Sequence, residues 1–214
     1  MNTLKKVGLK FAIMLTTALY TTTAVNAGNP ANARTARQLF DYAYHSVYGP
    51  QGSTLDYSIN LAGIYKANGT ISMKGKKKRF FEPRYSVWCN GKYYYKVDKK
   101  KKEIEIHNAA SPKKDKYSGK FTFSPNNFNY SYSENNNEYI INLEAKPKTA
   151  GNIKHARIHL DKATKAPKSI KIKVLFFRAT IKISHFHSGG INDKIFRFPK
   201  EKFKNYKITD KRPD

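Results

Sequence analysis

The pair of histidines at His185 and His187 has the spacing most suggestive of chemistry in this sequence. Residues two apart on a β-strand point to the same side, so a His-Phe-His segment could supply half of a tetrahedral zinc site. No third ligand is evident, because Asp and Glu total only 15 among 214 residues and are scattered. The single cysteine, Cys89, has no CxxC partner and can form no intramolecular disulfide. The sequence therefore predicts no catalytic site, no metal and no cofactor, and we do not expect an enzyme.

Basic residues dominate the charge of the chain. Lys and Arg total 41 against 15 acidic residues, which gives a net charge of +26 at pH 7. Two interpretations stay open: lysines that solvate an ordinary surface, or a surface that binds polyanions such as anionic lipid headgroups. The K-G-K-K-K-R run at residues 74–79 is typical of nucleic-acid patches. The export signal described next argues against a nucleic-acid partner.

Residues 1–27 have the organisation of a secretory signal peptide. Three lysines form a basic region, F-A-I-M-L-T-T-A-L-Y-T-T-T-A-V forms an apolar region, and V-N-A at 25–27 forms a small-residue cleavage site. The apolar run is too short for a comfortable membrane span of about 20 residues. The sequence therefore predicts cleavage after Ala27 and export of the remaining chain.

Residues 32–48 have the periodicity of an amphipathic helix, because apolar side chains recur three and four residues apart. Asn32 or Thr35 can cap its start, and the Gly49-Pro50 pair ends it. A lone amphipathic helix must bury its stripe, so we expect this helix to pack over a sheet. The stripe consists of Leu39, Phe40, Ala43, Tyr44 and Val47.

From Leu55 onward apolar residues alternate with polar ones, which is the period of a half-buried strand. The segment S-I-K-I-K-V-L at 169–175 is the clearest example, and Ala67-Asn68-Gly69 and Asn90-Gly91 are turn signals. The pattern predicts about nine or more short antiparallel strands. So many strands in one domain must curl or close. We therefore expect a mainly β chain with one or two helices, in a single domain over residues 28–214.

The segment V-W-C-N-G-K-Y-Y-Y-K-V at 87–97 predicts a tight hairpin. Asn-Gly favours a two-residue type I′ loop, which would place Trp88 opposite Tyr93. One face would then carry Trp88, Tyr93, Tyr95 and Val97. An aromatic cluster in an ordinary core and the lining of a lipid-holding concavity both account for this face. The alternation by itself favours the core.

These segments, in this order, resemble the LolA family of periplasmic lipoprotein carriers. The hairpin is similar to the family's strand–Asp-Gly-Lys–aromatic hairpin, and the end of the chain to its Phe-x-Phe…Asp-x-Arg terminus. The resemblance covers nearly all of the mature chain. After the helix, the matching stretches are G-T-I-S-M-K-G at 69–75, the hairpin at 87–97, I-H-L-D-K-A-T-K-A-P-K-S-I at 158–170 and F-R-F-P-K-E-K-F-K-N-Y-K-I-T-D-K-R at 196–212.

The resemblance implies an incomplete, unclosed antiparallel β-barrel with a helical lid, located in the periplasm. It also implies a monomer that takes acylated lipoproteins from an inner-membrane lipoprotein-releasing transporter to an outer-membrane acceptor, without catalysis. The helix residues Leu39, Phe40, Ala43 and Val47 would form the lid. The acyl chains would lie against Ile59, Leu61, Ile71, Met73, Trp88, Tyr93, Tyr95, Ile170, Ile172, Val174, Ile181 and Ile183.

Two features depart from the family pattern. Gly75 and Lys76 stand where well-known carriers have an Arg-Pro pair whose arginine latches the lid, so Lys77 or Arg79 is a candidate replacement. The segment at 111–123 lacks the helical periodicity of the family's second lid helix, which leaves the N-terminal helix as the lid. An alternative function is a LolA-like module that binds envelope lipids or glycolipids, or senses lipoproteins, without being a general carrier.

Overall fold

The computed structural model describes residues 29–61, 65–114, 123–147, 153–174 and 177–212. The signal peptide predicted for residues 1–27 lies outside these residues, as does most of the segment at 111–123. Within the described ranges, no helix is both long and apolar enough to cross a membrane.

The helix α1 (Pro30–Tyr48) precedes the strands. It begins two residues before the predicted start, because Asn29 caps it: the Asn29 Oδ1 atom accepts from the Ala31 N–H at 3.1 Å. Pro30 suits the first turn, where its missing N–H would have no partner in the helix. The helix ends before Gly49, as predicted.

Twelve strands follow α1 in the described part of the chain. They are β1 (Ser53–Leu61), β2 (Tyr65–Lys74), β3 (Lys77–Phe81), β4 (Tyr85–Cys89), β5 (Tyr93–Asp98), β6 (Glu103–Asn108), β7 (Phe128–Glu134), β8 (Glu138–Ala145), β9 (Ile153–Asp161), β10 (Pro167–Val174), β11 (Phe177–Ser188) and β12 (Lys207–Asp210). Short 3₁₀ helices occupy Pro112–Lys114, Pro125–Asn127, Asp193–Phe196 and Lys200–Phe203.

The strands form one sheet in the order β12-β6-β5-β4-β3-β2-β1-β11-β10-β9-β8-β7. The pairing of β12 with β6 is parallel, whereas the hairpin pairs from β2 to β6 and from β7 to β11 are antiparallel. The order ends on two different strands, so the sheet is unclosed. This confirms the predicted fold class: a mainly β chain whose unclosed antiparallel topology is consistent with the barrel that the resemblance implies.

Contacts divide the chain into two compact units that share β1, β2 and β11. The first unit includes α1 up to His45, β7 to β10, and β11 up to Ser184. Its antiparallel registers align a row of isoleucines on one face: Ile141 lies opposite Ile158, which lies opposite Ile170, which lies opposite Ile181. Ile158, Ile170 and Ile181 alternate with polar residues along their strands, as the period of two predicts, whereas Ile141 follows Ile140 on β8.

The second unit includes β3 to β6, the C-terminal 3₁₀ helices and β12. Its core contains Trp88, Val97 and Ile104, with partly buried aromatic residues of the C-terminal segment packed against them. The Trp88 ring makes edge contacts with Phe198 and Phe203 at centroid distances of 5.5 and 5.6 Å. Trp88 and Tyr95 of the β4–β5 hairpin are thereby covered by the C-terminal segment.

The predicted register of the β4–β5 hairpin is wrong by two residues. Trp88 lies opposite Tyr95, not Tyr93, and Cys89 lies opposite Tyr94. The loop is longer because the Asn90 side chain accepts hydrogen bonds from the N–H groups of Lys92 and Tyr93, at 2.9 and 2.8 Å. The shift is an even number, so Trp88 and Tyr95 still share a face.

The predicted turn at Ala67-Asn68-Gly69 is also wrong, because β2 runs through these residues. Gly69 is required there by a close approach rather than by a turn. A Cβ atom at this position would lie 2.2 Å from the Phe81 carbonyl oxygen and 2.7 Å from the Tyr57 hydroxyl. A glycine inside a strand often marks such an approach.

Candidate functional site

The first unit contains a cavity of about 830 Å³. Part of its wall is the start of α1, where Asn29, Asn32 and Ala33 lie. The rest is a band of three consecutive residues from each of five neighbouring strands: 129–131 of β7, 142–144 of β8, 155–157 of β9, 171–173 of β10 and 178–180 of β11.

The central residue of each triplet lies on one face of the sheet. The registers place Tyr130 opposite Leu143, Leu143 opposite Ala156, Ala156 opposite Ile172, and Ile172 opposite Ala179. Leu143 and Ala179 are almost completely buried. Because two of the five are alanines, whose side chains end at Cβ, this apolar row leaves space that larger side chains would fill.

The flanking residues of the triplets alternate to the other face of the sheet. On β9, β10 and β11 four of these positions are exposed cations, Arg157, Lys171, Lys173 and Arg178. Arg157 donates through Nε to the Asn142 Oδ1 atom at 2.9 Å. The band is therefore apolar on one face and strongly basic on the other.

Asn32 connects the first turn of α1 to the edge of β7. Its Nδ2 atom donates to the Tyr132 carbonyl, and its Oδ1 atom accepts from the Tyr132 N–H, both at 2.9 Å. The predicted cap was Asn32 or Thr35, but Asn29 takes this role and leaves the Asn32 side chain to pair with β7. The freed side chain holds the helix beside the cavity.

Two further residues of α1 pack against Tyr130. Phe40 meets its ring edge-on at a centroid distance of 5.3 Å, and the Arg37 guanidinium carbon lies 5.3 Å from the same ring. Arg37 also donates to the Asn126 Oδ1 atom at 3.1 Å. Burial raises the pKa of the Tyr130 hydroxyl well above its ordinary value, so the group stays neutral and donates to the Pro125 carbonyl at 2.7 Å.

Five of the predicted lining residues come from β10 and β11 of the first unit, and the four whose side chains are described share a face. Ile172 lines the cavity, and Ile170, opposite Ile181, continues the same row of β10 and β11. Ile183 follows Ile181 at the strand period. Val174 ends β10, and its side chain lies outside the described part of the structure.

The other predicted residues of the first unit are buried. Ile59 and Leu61 lie on β1 with 1% and 3% of their surface exposed. The apolar stripe of α1 is buried as well, including Val47 in the second unit. Phe40 contacts Tyr130, so this stripe covers β7 in the first unit. Its buried members are Leu39, Phe40, Ala43 and Val47.

The aromatic residues predicted to line the concavity lie in the second unit. Trp88 is 4% exposed inside the core cluster described above. Tyr95 stacks on Phe198 with ring centroids 4.5 Å apart. Tyr93 alternates onto the same side of β5 and carries the Arg212 guanidinium carbon 5.0 Å from its ring. The structure thus packs this face as a core against the C-terminal segment.

Ile71 and Met73 lie on the opposite face from Trp88. Ser72 pairs with Arg79, and Arg79 pairs with Trp88, so Ser72 and Trp88 share a face. Ile71 and Met73 flank Ser72 on β2 and therefore point to the other side. The structure does not bring these residues together with the hairpin aromatics as a single lining.

The two candidate latch residues make other contacts in the second unit. The Lys77 ammonium lies 2.7 Å from an Asp193 carboxylate oxygen. The Arg79 guanidinium carbon lies 4.2 Å from the Phe81 ring centroid. In the described part of the chain, the side chains that hold α1 to β7 are instead Asn32 and Arg37.

His185 pairs with Asp56 through Nδ1 at 3.0 Å, and its φ of 48° departs from strand geometry. Within the described ranges, no group of three or more His, Cys, Asp or Glu side chains could hold a metal ion. Cys89 is buried, and its sulfur lies 3.6 Å from the Lys76 carbonyl oxygen. These residues therefore serve local packing and pairing.

Sequence reasoning missed most of the cavity wall. The missed apolar residues are Tyr130, Leu143, Ala156 and Ala179, and the missed residues of α1 are Asn29, Asn32 and Ala33. Leu143 carries the alternating signal of Y-I-I-N-L and could have been found from it. The alanines could not be recognised as cavity residues from a single sequence, because a small residue in a strand is as typical of a closely packed core as of a cavity wall.

Comparison with solved structures places this fold among known ones. An uncharacterised conserved protein from Thermus thermophilus matches with a TM-score of 0.55 and 9% identity, over 83% of this chain and 99% of that one. The LolA superfamily protein NE2245 from Nitrosomonas europaea matches with a TM-score of 0.39 and 7% identity, over 77% and 98%. The Mycobacterium tuberculosis lipoprotein LppX matches with a TM-score of 0.36 and 11% identity, over 77% and 99%. No curated protein matches the chain.

The sequence itself matches a family model described as outer membrane lipoprotein carrier protein LolA, over residues 25–174. This range includes α1, the β4–β5 hairpin and every strand triplet of the cavity wall except that of β11. The resemblance stated from the sequence is thereby confirmed. The chain belongs to the LolA family of outer-membrane lipoprotein carrier proteins.

Proposed function

We propose that this protein is a periplasmic carrier that holds the acyl chains of lipoproteins in the cavity of the first unit. It would move lipoproteins from an inner-membrane transporter to an outer-membrane acceptor, as a monomer exported by its signal peptide and folded as one LolA-like domain. The observation that carries the proposal is the apolar row from Tyr130 to Ala179 at a cavity of about 830 Å³. Ligand cavities commonly measure about 300–1,000 Å³.

The binding energy would come from burial of methylene groups, at about 0.8 kcal/mol each. No bond is made or broken in this activity, so the protein needs no catalytic residue. A carrier must also release its cargo. The start of α1 is held to β7 by a few side-chain contacts, which makes its opening a local event rather than unfolding of the sheet.

A second candidate function is binding of a free lipid or glycolipid, or sensing of lipoproteins, without general transport. It is favoured by Asn129, which flanks Tyr130 on β7 and so lies on the polar side of the cavity wall, where its buried Oδ1 atom has no hydrogen-bond partner in the described part of the chain. A buried acceptor left unpaired costs about 1–3 kcal/mol. A hydroxyl group of a glycolipid would satisfy it.

Mass spectrometry of an organic extract of the mature protein, purified from the envelope fraction, tests these functions. A lipoprotein or its lipid moiety is the result expected for a carrier. Free phospholipid or glycolipid alone would favour the second candidate. A clean apo mass that persists after incubation with a purified acylated lipoprotein would refute acyl binding.

A cavity-filling variant locates the ligand. Ala156→Phe places a ring in the apolar row, whereas Ala163→Phe places one in an exposed turn and serves as the control. We expect Ala156→Phe to weaken lipoprotein binding about tenfold or more, since it would exclude two or more methylenes. Equal binding by both folded variants would place the ligand elsewhere.

A further inference from the structure

The polar face of β9, β10 and β11 concentrates positive charge. We define the basic face as Arg157, Lys171, Lys173, Arg178 and Lys182, all of which are exposed. The segment from Ile153 to Ser184 contains nine Lys and Arg residues and a single acidic residue, Asp161, at the end of β9. In the described part of β9, β10 and β11, no other carboxylate lies beside the cations of the basic face.

Cations lie directly opposite one another on neighbouring strands of this face. Lys173 pairs with Arg178 across β10 and β11, and Lys171 pairs with Arg157 across β10 and β9. Directly opposite residues in an antiparallel pair have Cβ atoms about 4.5–5.5 Å apart, and like charges there are destabilising. An external anion would relieve this repulsion.

Two nearby lysines outside the basic face have acidic partners. Lys168 lies 3.2 Å from a carboxylate oxygen of Glu138, and Lys162 lies 3.4 Å from one of Glu134. Within the described part of the chain, no ion pair joins a member of the basic face to a carboxylate. The charge of this face is thus left available to a partner.

We propose that the basic face docks this protein onto the surface of a membrane that contains anionic phospholipids. The five cations lie on three adjacent strands, which are about 4.8 Å apart. They therefore form a broad array that could bind several headgroup phosphates at once. Four of the five cations belong to the band that forms the cavity wall. Docking would therefore place the polar side of the cavity wall against the headgroups, with the apolar row on the opposite face of the same strands. The inference goes beyond the proposed carrier function and does not require it.

The test measures sedimentation with vesicles of phosphatidylcholine, with and without phosphatidylglycerol. The variant Lys171→Gln/Lys173→Gln/Arg178→Gln removes three charges from the basic face. The control Lys100→Gln/Lys200→Gln/Lys202→Gln removes three from exposed positions of the second unit. Circular dichroism verifies that both triple variants fold, and the three single variants serve if the first triple variant does not.

We expect the wild type to bind only the anionic vesicles, and more weakly as ionic strength rises. Each lysine or arginine near such a surface contributes about a fivefold gain, so the basic-face variant should bind on the order of a hundredfold more weakly. The control should remain within about fivefold of the wild type. If both triple variants lost vesicle affinity equally, binding would depend on the net charge of the protein and not on the basic face. This result would overturn the proposal.

Two further outcomes would also overturn it. One is absence of wild-type binding to anionic vesicles at low ionic strength. The other is binding of an acidic polypeptide, but not of vesicles, through the same three residues. The variant Ala156→Phe separates this inference from the carrier function, because it should lose lipoprotein but keep vesicle binding. Absence of acyl binding by the wild type, with vesicle binding intact, would refute the carrier function alone.

Discussion

The carboxamide of Asn32 pairs with both backbone groups of Tyr132, donating to its carbonyl and accepting from its N–H at 2.9 Å each. Tyr132 lies on β7, the last strand in the sheet order. A primary carboxamide carries a donor and an acceptor side by side, as a peptide group does. Asn32 therefore satisfies the strand edge at this residue in the way that a neighbouring strand would.

Replacing Asn32 with alanine should loosen the start of α1 and expose the Tyr132 amide. The loss of two hydrogen bonds predicts a fall of about 1–3 kcal/mol in the free energy of unfolding. Hydrogen exchange followed by mass spectrometry would show faster exchange in the peptide that contains Tyr132. Gln38→Ala is the control, since Gln38 is an exposed residue of the same helix. Equal protection in the two variants would contradict the role of Asn32.

Phe40 should contribute far more to stability than a neighbouring exposed aromatic residue. It is 5% exposed and contacts the rings of Tyr44, Phe123 and Tyr130. Phe40→Ala should lower the free energy of unfolding by about 3–5 kcal/mol, as for other buried phenylalanines. Urea denaturation measures this, with Tyr42→Ala as the control because Tyr42 is 52% exposed. Similar losses in both variants would show that α1 is not packed as described.

The single tryptophan reports on the C-terminal segment. Trp88 is covered by Phe198 and Phe203 within the second unit. Phe203→Ala should expose the indole and shift its fluorescence emission to longer wavelength, because water would reach a ring that is now buried. Lys202→Ala, at an exposed neighbouring residue, should leave the emission unchanged. An unshifted spectrum for Phe203→Ala would contradict the packing of the C-terminal segment on Trp88.

Glu82 should make the protein less stable as pH rises. Burial raises the pKa of this carboxyl above 4.5, although the Tyr57 hydrogen bond and the Lys99 charge oppose the change. A raised folded-state pKa contributes stability that is complete below the unfolded value and lost as pH rises through the folded value. The free energy of unfolding of Glu82→Gln should therefore rise relative to that of the wild type as the pH rises from 4.5 through the raised pKa of Glu82. Denaturation across this range measures the difference.

Glu105 provides a control, because its contribution to stability should depend on pH in the opposite direction. Burial opposes its ionisation, but Lys96, Lys211 and His107 outweigh burial and lower the pKa of this carboxyl to about 2. Its contribution is present above the unfolded value of 4.5 and lost as pH falls towards 2. Glu105→Gln should thus be less stable than the wild type at neutral pH, with the difference closing in acid. The same pH trend in both variants would contradict these assignments.

Local patterns predicted the elements of this fold better than the pairing between them. The helix and the alternating strands were found because their periods are properties of short segments. The β4–β5 register was not, because the Asn90 side chain competes for the Lys92 and Tyr93 N–H groups and lengthens the loop. That competition depends on a side-chain rotamer, which the Asn-Gly pattern does not specify.

Other errors came from contacts between residues that are distant in sequence. The Ala67-Asn68-Gly69 pattern predicts a turn, but the Phe81 carbonyl and the Tyr57 hydroxyl, which exclude any side chain at Gly69, belong to other strands. Ala156 and Ala179 form the cavity wall only because the registers of β9 to β11 place both beside Ile172. Single-sequence reasoning finds apolar residues that fill a core, whereas a cavity depends on the small residues that leave it unfilled.

The position of β1 between β2 and β11 has a consequence for how the protein is made. A chain that emerges from its N-terminus first can pair β1 with β2 at once, but the other edge of β1 must wait until β11 has emerged. Such long-range pairing is slow, because the chain loses the entropy of closing a long loop before any stabilising contact forms. Until then the open edge of β1 is a template for other strands. A newly made chain would therefore pass through an interval in which shielding of this edge decides between folding and aggregation.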